Sequence, residues 1–259
     1  MVFHEAAGKN ILRFVLVPWK AWFDVREEGV VPVFLRRTNV SDEQRWPQLL
    51  AHYQEYLDQP DSAMFRAQVG RRYTPGTLAR LSRHPRREIR RAAVLALGFL
   101  ADYEANSTLG LALVDDDRTV RILAENSIRR VWTRTGEDRD RTQLDTIMGL
   151  NASRQFQEVV ALATDLIDRI PTFSEAWNQR AYAHYGLGRY AESIRDCYEA
   201  LEVNPYHFVA AVGMGRAYLE VGNLTSALDC FRRALRLNPD LEGVRAQAER
   251  IARIVEEKS

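Results

Sequence analysis

The chain has 259 residues, 46% hydrophobic and 27% charged, a balance that excludes an all-disordered chain and leaves ample length for a buried core. Its 36 basic and 35 acidic residues leave a net charge of +1, so no global field points to nucleic acid or to a membrane surface. Two cysteines, Cys197 and Cys230, supply neither a disulfide framework nor, by themselves, a four-thiolate metal site.

In chain order, residues 11–17 form an apolar run interrupted by Arg13 and closed by Pro18. A membrane span needs about 20 such residues, and a signal peptide needs a small-residue cleavage site after its apolar core. No membrane association is expected, and a bacterial cytoplasmic setting is. The basic residues comprise 33 arginines against 3 lysines, which reads as a compositional bias of the source genome. Residues 13–17 and 30–35, with Pro18 and Pro32, read as extended or irregular. Ser41-x-x-Gln44 is a capping-box pattern, and Trp46, Leu49, Leu50, Tyr53 and Leu57 follow it at helical spacing. Residues 1–73 are therefore expected to form a cap region, partly irregular, with helices near 43–58 and 61–73.

A 31-residue period follows. Ile89-Arg90 recurs as Val120-Arg121, Ala93 as Ala124, Leu97 as Ile128 and Leu100 as Val131. Each block holds a short helix, a turn (His84-Pro85, then Asp115-Asp116-Asp117) and a longer helix, and Thr74-Pro75 is an N-cap with proline at the first helical position. Over 74–132 this resembles two HEAT-like repeats. Arg90 and Arg121 are expected to pair with Asp115, Asp116 or Asp117 of a neighbouring turn. From Arg66 to Arg91 there are nine arginines against the single acid Glu88, and Arg83, Arg86, Arg87 and Arg91 make a candidate basic face. Residues 133–139 lie in a polar hinge.

A 34-residue period then takes over: Pro171, Pro205 and Pro239; Gly188 and Gly222; Ala200 and Ala234. One unit reads Trp177-x2-Arg180-Ala181-x2-His184, then Ser193-x3-Cys197, Ala200 and Pro205; the next reads Ala211-x2-Met214-Gly215-x2-Tyr218, then Ala227-x3-Phe231, Ala234 and Pro239. This pattern resembles the tetratricopeptide repeat. Small residues let two antiparallel helices, A and B, approach closely; the glycines sit where the turn needs a positive φ; each proline ends a B helix. An earlier, degenerate unit has Arg154 in place of the turn glycine. About three units are expected over 140–241, and a capping helix over 242–259. The fold class is an all-α, right-handed α-solenoid of helical hairpins, HEAT-like and then tetratricopeptide.

No G-x-x-x-x-G-K, H-E-x-x-H, G-x-S-x-G or C-x-x-C motif occurs. The five histidines lack metal-ligand spacing, so no metal, cofactor or catalytic residue is expected. HEAT-like scaffolds do carry some lyases and glycosylases, but two short repeats make a small platform for such chemistry. The resemblance to tetratricopeptide arrays implies a concave groove lined by the A helices. Its exposed positions are expected at Asn178, Tyr182, Tyr185, Val209, Val212, Arg216, Leu219 and Glu220, a set suited to a peptide because Tyr and Arg are enriched at binding hot spots. One subfamily clamps the C-terminal carboxylate of a chaperone with Lys, Asn and Arg. The matching positions here hold Leu144, Met148, Gln179, Val209 and Gly213, which argues against that ligand. The expected function is a non-enzymatic scaffold or adaptor for a protein or peptide. The alternative is polyanion or nucleic-acid binding through the arginine face, and the third is an enzyme on the HEAT-like scaffold.

Overall fold

The computed structural model describes residues 48–257; the expected extended segments before residue 40 and the capping box at Ser41 lie outside them. The described residues hold thirteen α-helices, one 3-10 turn and no strand. In order these are α1 (Gln48–Asp58), α2 (Ser62–Gly70), α3 (Pro75–Leu81), α4 (Arg87–Leu100), the turn Tyr103–Ala105, α5 (Asn106–Ala112) and α6 (Arg118–Trp132). Then follow α7 (Asp138–Ala152), α8 (Phe156–Arg169), α9 (Ser174–Gly186), α10 (Tyr190–Val203), α11 (Phe208–Glu220), α12 (Leu224–Leu237) and α13 (Glu242–Glu256). Consecutive helices pack as antiparallel hairpins, an α-solenoid, and none is long and apolar enough to cross a membrane.

Local chemistry sets the boundaries. Thr74 caps α3 by accepting from the Thr77 N–H, with Pro75 in the first turn, and Asp117 caps α6 by accepting from the Val120 N–H at 3.0 Å. The hairpin turns α9–α10 and α11–α12 carry Gly188 at φ 73° and Gly222 at φ 78°, and the turn α7–α8 carries Arg154 at φ 61°. The third hairpin thus makes the same left-handed turn with a residue that has a Cβ.

The arginine ladder runs between hairpins. Arg90 donates one edge of its guanidinium to the carbonyls of His84 and Pro85, in its own turn, and forks onto Asp115 at 2.7 and 2.8 Å in the next. Arg121 repeats the arrangement: it donates to the Asp115 carbonyl of its own turn and forks onto Asp240 at 2.9 and 3.0 Å. The carboxylate partner of Arg121 is therefore not Asp115, Asp116 or Asp117, the expected set, but Asp240, 119 residues downstream in the loop between α12 and α13. That loop occupies the place of a third turn in the series.

Other contacts along α6 follow the same line. Glu125 accepts from Asn238 at 3.0 Å, Arg129 lies over the Phe208 ring, and Trp132 stacks on His207 with centroids 4.1 Å apart. Next to it Tyr206 fills the space where a Cβ on Gly110 would stand, only 2.2 Å from the ring, so α5 can approach this loop only with glycine there. The first array is folded back across the inter-repeat loops 204–208 and 238–241, and one hydrophobic core runs through both.

At this junction sits a buried polar relay. The Trp132 indole donates to Asn106, and Asn106 donates to Asn204, each at 2.8 Å. His207 accepts the Ala210 N–H at its Nδ1, capping α11, so its Nε2 carries the proton it donates to Glu175 at 3.0 Å. Glu175 also accepts from Asn178 and Gln179, and Gln179 accepts from Asn151 of α7. Burial pushes the Glu175 carboxyl up, but the hydrogen bonds from His207, Gln179 and Asn178 outweigh it and hold it below its ordinary value.

Two outcomes follow from these features. A left-handed turn costs a residue with a Cβ about 1–2 kcal/mol, against roughly 0.5–1 kcal/mol of extra chain entropy for glycine. Arg154→Gly is therefore expected to raise the melting midpoint by a net gain of up to about 1 kcal/mol; a lowered midpoint in calorimetry would show that Arg154 makes contacts worth more than the strain. Glu175 has a depressed folded-state carboxyl, so its stabilisation is present above the unfolded carboxyl's titration and is lost as pH falls through the folded value. Glu175→Gln should cost about 1–3 kcal/mol at neutral pH. Urea titrations at about pH 7 and about pH 3 should then show a smaller stability loss on acidification than in the parent chain.

Candidate functional site

The expected groove residues lie on α9 and α11, the first helices of two successive hairpins: Asn178, Tyr182 and Tyr185 on α9, and Val209, Val212, Arg216, Leu219 and Glu220 on α11. The Tyr185 hydroxyl donates to the Glu220 carboxylate at 2.8 Å, so the two helices are bridged across the groove. Tyr182 meets Phe156, at the start of α8, edge-on with centroids 5.9 Å apart, and Tyr185 meets Tyr190 at 5.5 Å. Arg216 lies between them, close enough to both phenols to interact electrostatically.

Exposure differs from the sequence expectation. Val209, Val212, Arg216 and Leu219 are only 6%, 4%, 8% and 7% exposed, while Tyr182 and Tyr185 are half-buried and Glu220 alone is open. Asn178 is buried at 1% and donates to Glu175 at 3.1 Å, which draws it into the junction relay rather than the groove surface. Of the eight expected groove residues, Tyr185 and Glu220 are joined by a hydrogen bond, Arg216 interacts with Tyr182 and Tyr185, and Asn178 is diverted to the relay. Truncating Arg216 is accordingly not a surface change.

Burial dominates the electrostatics of these residues. Burial pushes the Tyr185 phenol well up, and the adjacent Glu220 carboxylate pushes it further. Burial likewise raises Tyr182. Both stay neutral donors across the physiological range. Burial lowers the Arg216 guanidinium from its ordinary value, partly offset by the two phenols, and it still carries its charge.

The basic face resolves into two parts. Arg83, Arg86 and Arg87 are exposed, with Arg87 beside Glu88 at 3.2 Å. Arg91 does not belong with them. Its guanidinium forks onto Asp117 at 2.6 and 2.8 Å, one place along from the Arg90–Asp115 pair, so it serves the ladder. Burial pushes the Cys197 thiol up and the Cys230 thiol to about 11, so both remain inert protonated side chains. Among the described residues no group of three or more His, Cys, Asp or Glu is placed to hold a metal ion. Sequence reasoning missed Glu175, His207 and Asn204; the signal available was the polar pair Asn204 and His207 flanking Pro205-Tyr206 in an inter-repeat loop otherwise expected to face solvent.

Comparison with known proteins finds similarity to tetratricopeptide repeats over part of the chain. The tetratricopeptide-repeat model matches residues 172–240. Sperm-associated antigen 1 of Mus musculus is 32% identical over 88 residues, covering 34% of this chain and 10% of that protein. A TPR repeat-containing protein of Rhizobium etli is 32% identical over 81 residues, covering 30% of this chain and 40% of that one. The chain thus spans between a tenth and two fifths of the length of these relatives. Among solved structures, the first TPR of Spaghetti (RPAP3) bound to the HSP90 peptide SRMEEVD superposes with a TM-score of 0.45 at 19% identity, over 47% of this chain and 96% of that one. The TPR2AB domain of yeast Sti1 in complex with an HSP90 peptide gives 0.40 at 16% identity, over 79% and 82%. Over residues 172–240 the chain carries tetratricopeptide repeats.

Proposed function

We propose that the chain is a non-enzymatic adaptor that holds an extended segment of a protein partner in the α9–α11 groove. The observation that carries this reading is the facing of Tyr182 and Tyr185 with Arg216 and Glu220 across two tetratricopeptide A helices, bridged by the Tyr185–Glu220 hydrogen bond. Rigid aromatic area beside a single buried cation is the composition of a binding hot spot. The ligand fitting it carries apolar side chains and one acidic group. A chaperone's terminal carboxylate is a poor match, because Leu144 and Gln179 at two clamp positions are buried in the hairpin core and offer no cation.

In this reading the two hairpins α3–α4 and α5–α6 are HEAT-like units that brace the groove from its loop edge, and residues 242–259 cap the far end. Their arginines act within the molecule: Arg90, Arg91 and Arg121 are engaged by Asp115, Asp117 and Asp240. The protein works in a cytoplasmic compartment of a bacterium.

The test uses the partner captured by the intact chain, with affinity measured directly. Tyr185→Ala combined with Glu220→Ala removes a hot-spot aromatic and its bridge without touching buried Arg216. A loss of about 2 kcal/mol is expected, roughly thirty-fold in affinity, with the helical content unchanged. A partner held at full affinity by the folded double variant moves the binding surface off this groove.

A further inference from the structure

Arginines from three helices and from the loop joining the two arrays gather at the C-terminal end of α4. Arg134, in that loop, donates to the Gly98 and Ala101 carbonyls at 2.7 and 2.6 Å. Arg130, one turn earlier on α6, lies 4.8 Å from the centre of the Phe99 ring. Phe99 meets Phe65 edge-on at 5.8 Å, and Arg66 follows Phe65 on α2. Arg141 comes from the other side of the loop, near the start of α7. Burial lowers the Arg134 guanidinium from its ordinary value; Asp102 opposes this, and the charges of Arg66, Arg130 and Arg141 lower it further. Those three are thus close enough to act on Arg134.

The cluster is short of negative charge. The end of α4 offsets Arg134 in part, since a helix carries partial negative charge at its C-terminus. Among the described residues no carboxylate lies within ion-pair distance of Arg66, Arg130 or Arg134. Arg141 has Asp138 at 3.9 Å, but that carboxylate is fully exposed, so the pair contributes little. Two donors are also orphaned. The Arg141 Nε–H and the hydroxyl of Thr135, next to Arg134 in the chain, are buried without a hydrogen-bond partner. Buried polar atoms of this kind cost free energy unless something satisfies them.

We propose that Arg66, Arg130, Arg134 and Arg141 form a binding site for a phosphate group, free or carried by a small organic molecule, where the two arrays join. Guanidinium groups drawn from separate elements suit a tetrahedral dianion, whose oxygens accept in several directions. A carboxylate is planar and is filled by a single fork, as Asp115 is by Arg90. The Arg141 Nε–H and the Thr135 hydroxyl add donors already withdrawn from water. A phosphate held here ties α2 and α6 to α7 and stiffens residues 133–137 between the arrays. The site is separate from the α9–α11 groove, so its success or failure leaves that reading untouched.

The test titrates the full chain with inorganic phosphate and with phenyl phosphate in a calorimeter, at constant ionic strength and with acetate as the control anion. Saturable binding at millimolar concentration or below is expected for at least one phosphate. Tighter binding of phenyl phosphate points to an organic ligand, and tighter binding of inorganic phosphate to the free ion. No saturation with either, or equal binding of acetate, overturns the proposal. Arg66→Gln with Arg141→Gln should weaken phosphate binding by about tenfold or more, the loss of charge-assisted hydrogen bonds. Arg83→Gln with Arg87→Gln, exposed arginines elsewhere on the chain, should leave it unchanged. Equal weakening by both pairs means general charge attraction and also overturns the site. Without phosphate, the Arg66→Gln, Arg141→Gln chain is relieved of like-charge repulsion and should melt no lower than the parent. A lowered midpoint means that the protein itself uses those charges, and it counts against the site.

Discussion

The stack of Trp132 on His207, with Glu175 beneath it, holds the two halves of the molecule in one arrangement. His207 does three things at once: its ring covers the indole, its Nδ1 caps α11, and its Nε2 proton satisfies a buried carboxylate. An unpaired carboxylate at that depth would cost several kcal/mol, so Glu175 tolerates burial only while His207, Asn178 and Gln179 keep their places. Asn178 and Gln179 lie on α9, and His207 is the cap of α11. The relay therefore sets the position of α11 relative to α9, and with it the spacing of the side chains across the groove.

The groove and the junction share the same helices at opposite ends. Glu175 and Asn178 open α9, and Tyr182 and Tyr185 close it. His207 precedes α11, and Arg216 and Glu220 finish it. A displacement of either helix start is transmitted along a rigid rod of about 20 Å, from thirteen residues at about 1.5 Å each, to the aromatic end where the proposed ligand sits. The first array contributes nothing directly to the groove's chemistry and fixes its geometry from the loop edge.

Much of this was readable in the sequence because hairpin register is a local property. The 34-residue spacing of Pro171, Pro205 and Pro239 located the ends of the B helices, and Gly188 and Gly222 located the turns at their positive φ values. Arg154 was recognised as the misfit in the glycine series, though spacing could not tell that it would keep the glycine conformation. What the sequence concealed was tertiary. Arg121 was assigned to the aspartates at 115–117, whereas its partner Asp240 lies in a loop 119 residues downstream. Arg91 looked like its exposed neighbours because adjacent arginines on a helix are indistinguishable without the facing Asp117. The exposure of Val212 and Arg216 depends on everything packed around them, which repeat phase does not report.

The bridge from Arg121 to Asp240 also bears on how the chain becomes native. In a linear solenoid each repeat meets only its neighbours, so growth can proceed from one end as the chain emerges. Here the last hairpin of the first array is completed by residues about a hundred positions further on: Asn204 for Asn106, Asn238 for Glu125, Asp240 for Arg121. At roughly 5–20 residues per second of synthesis, α6 waits on the order of ten seconds with Trp132 and its apolar neighbours uncovered. Contacts of such sequence separation slow folding. The molecule thus forgoes the vectorial assembly open to other repeat proteins, and its early helices depend, during that interval, on whatever else in the cell shields apolar surface.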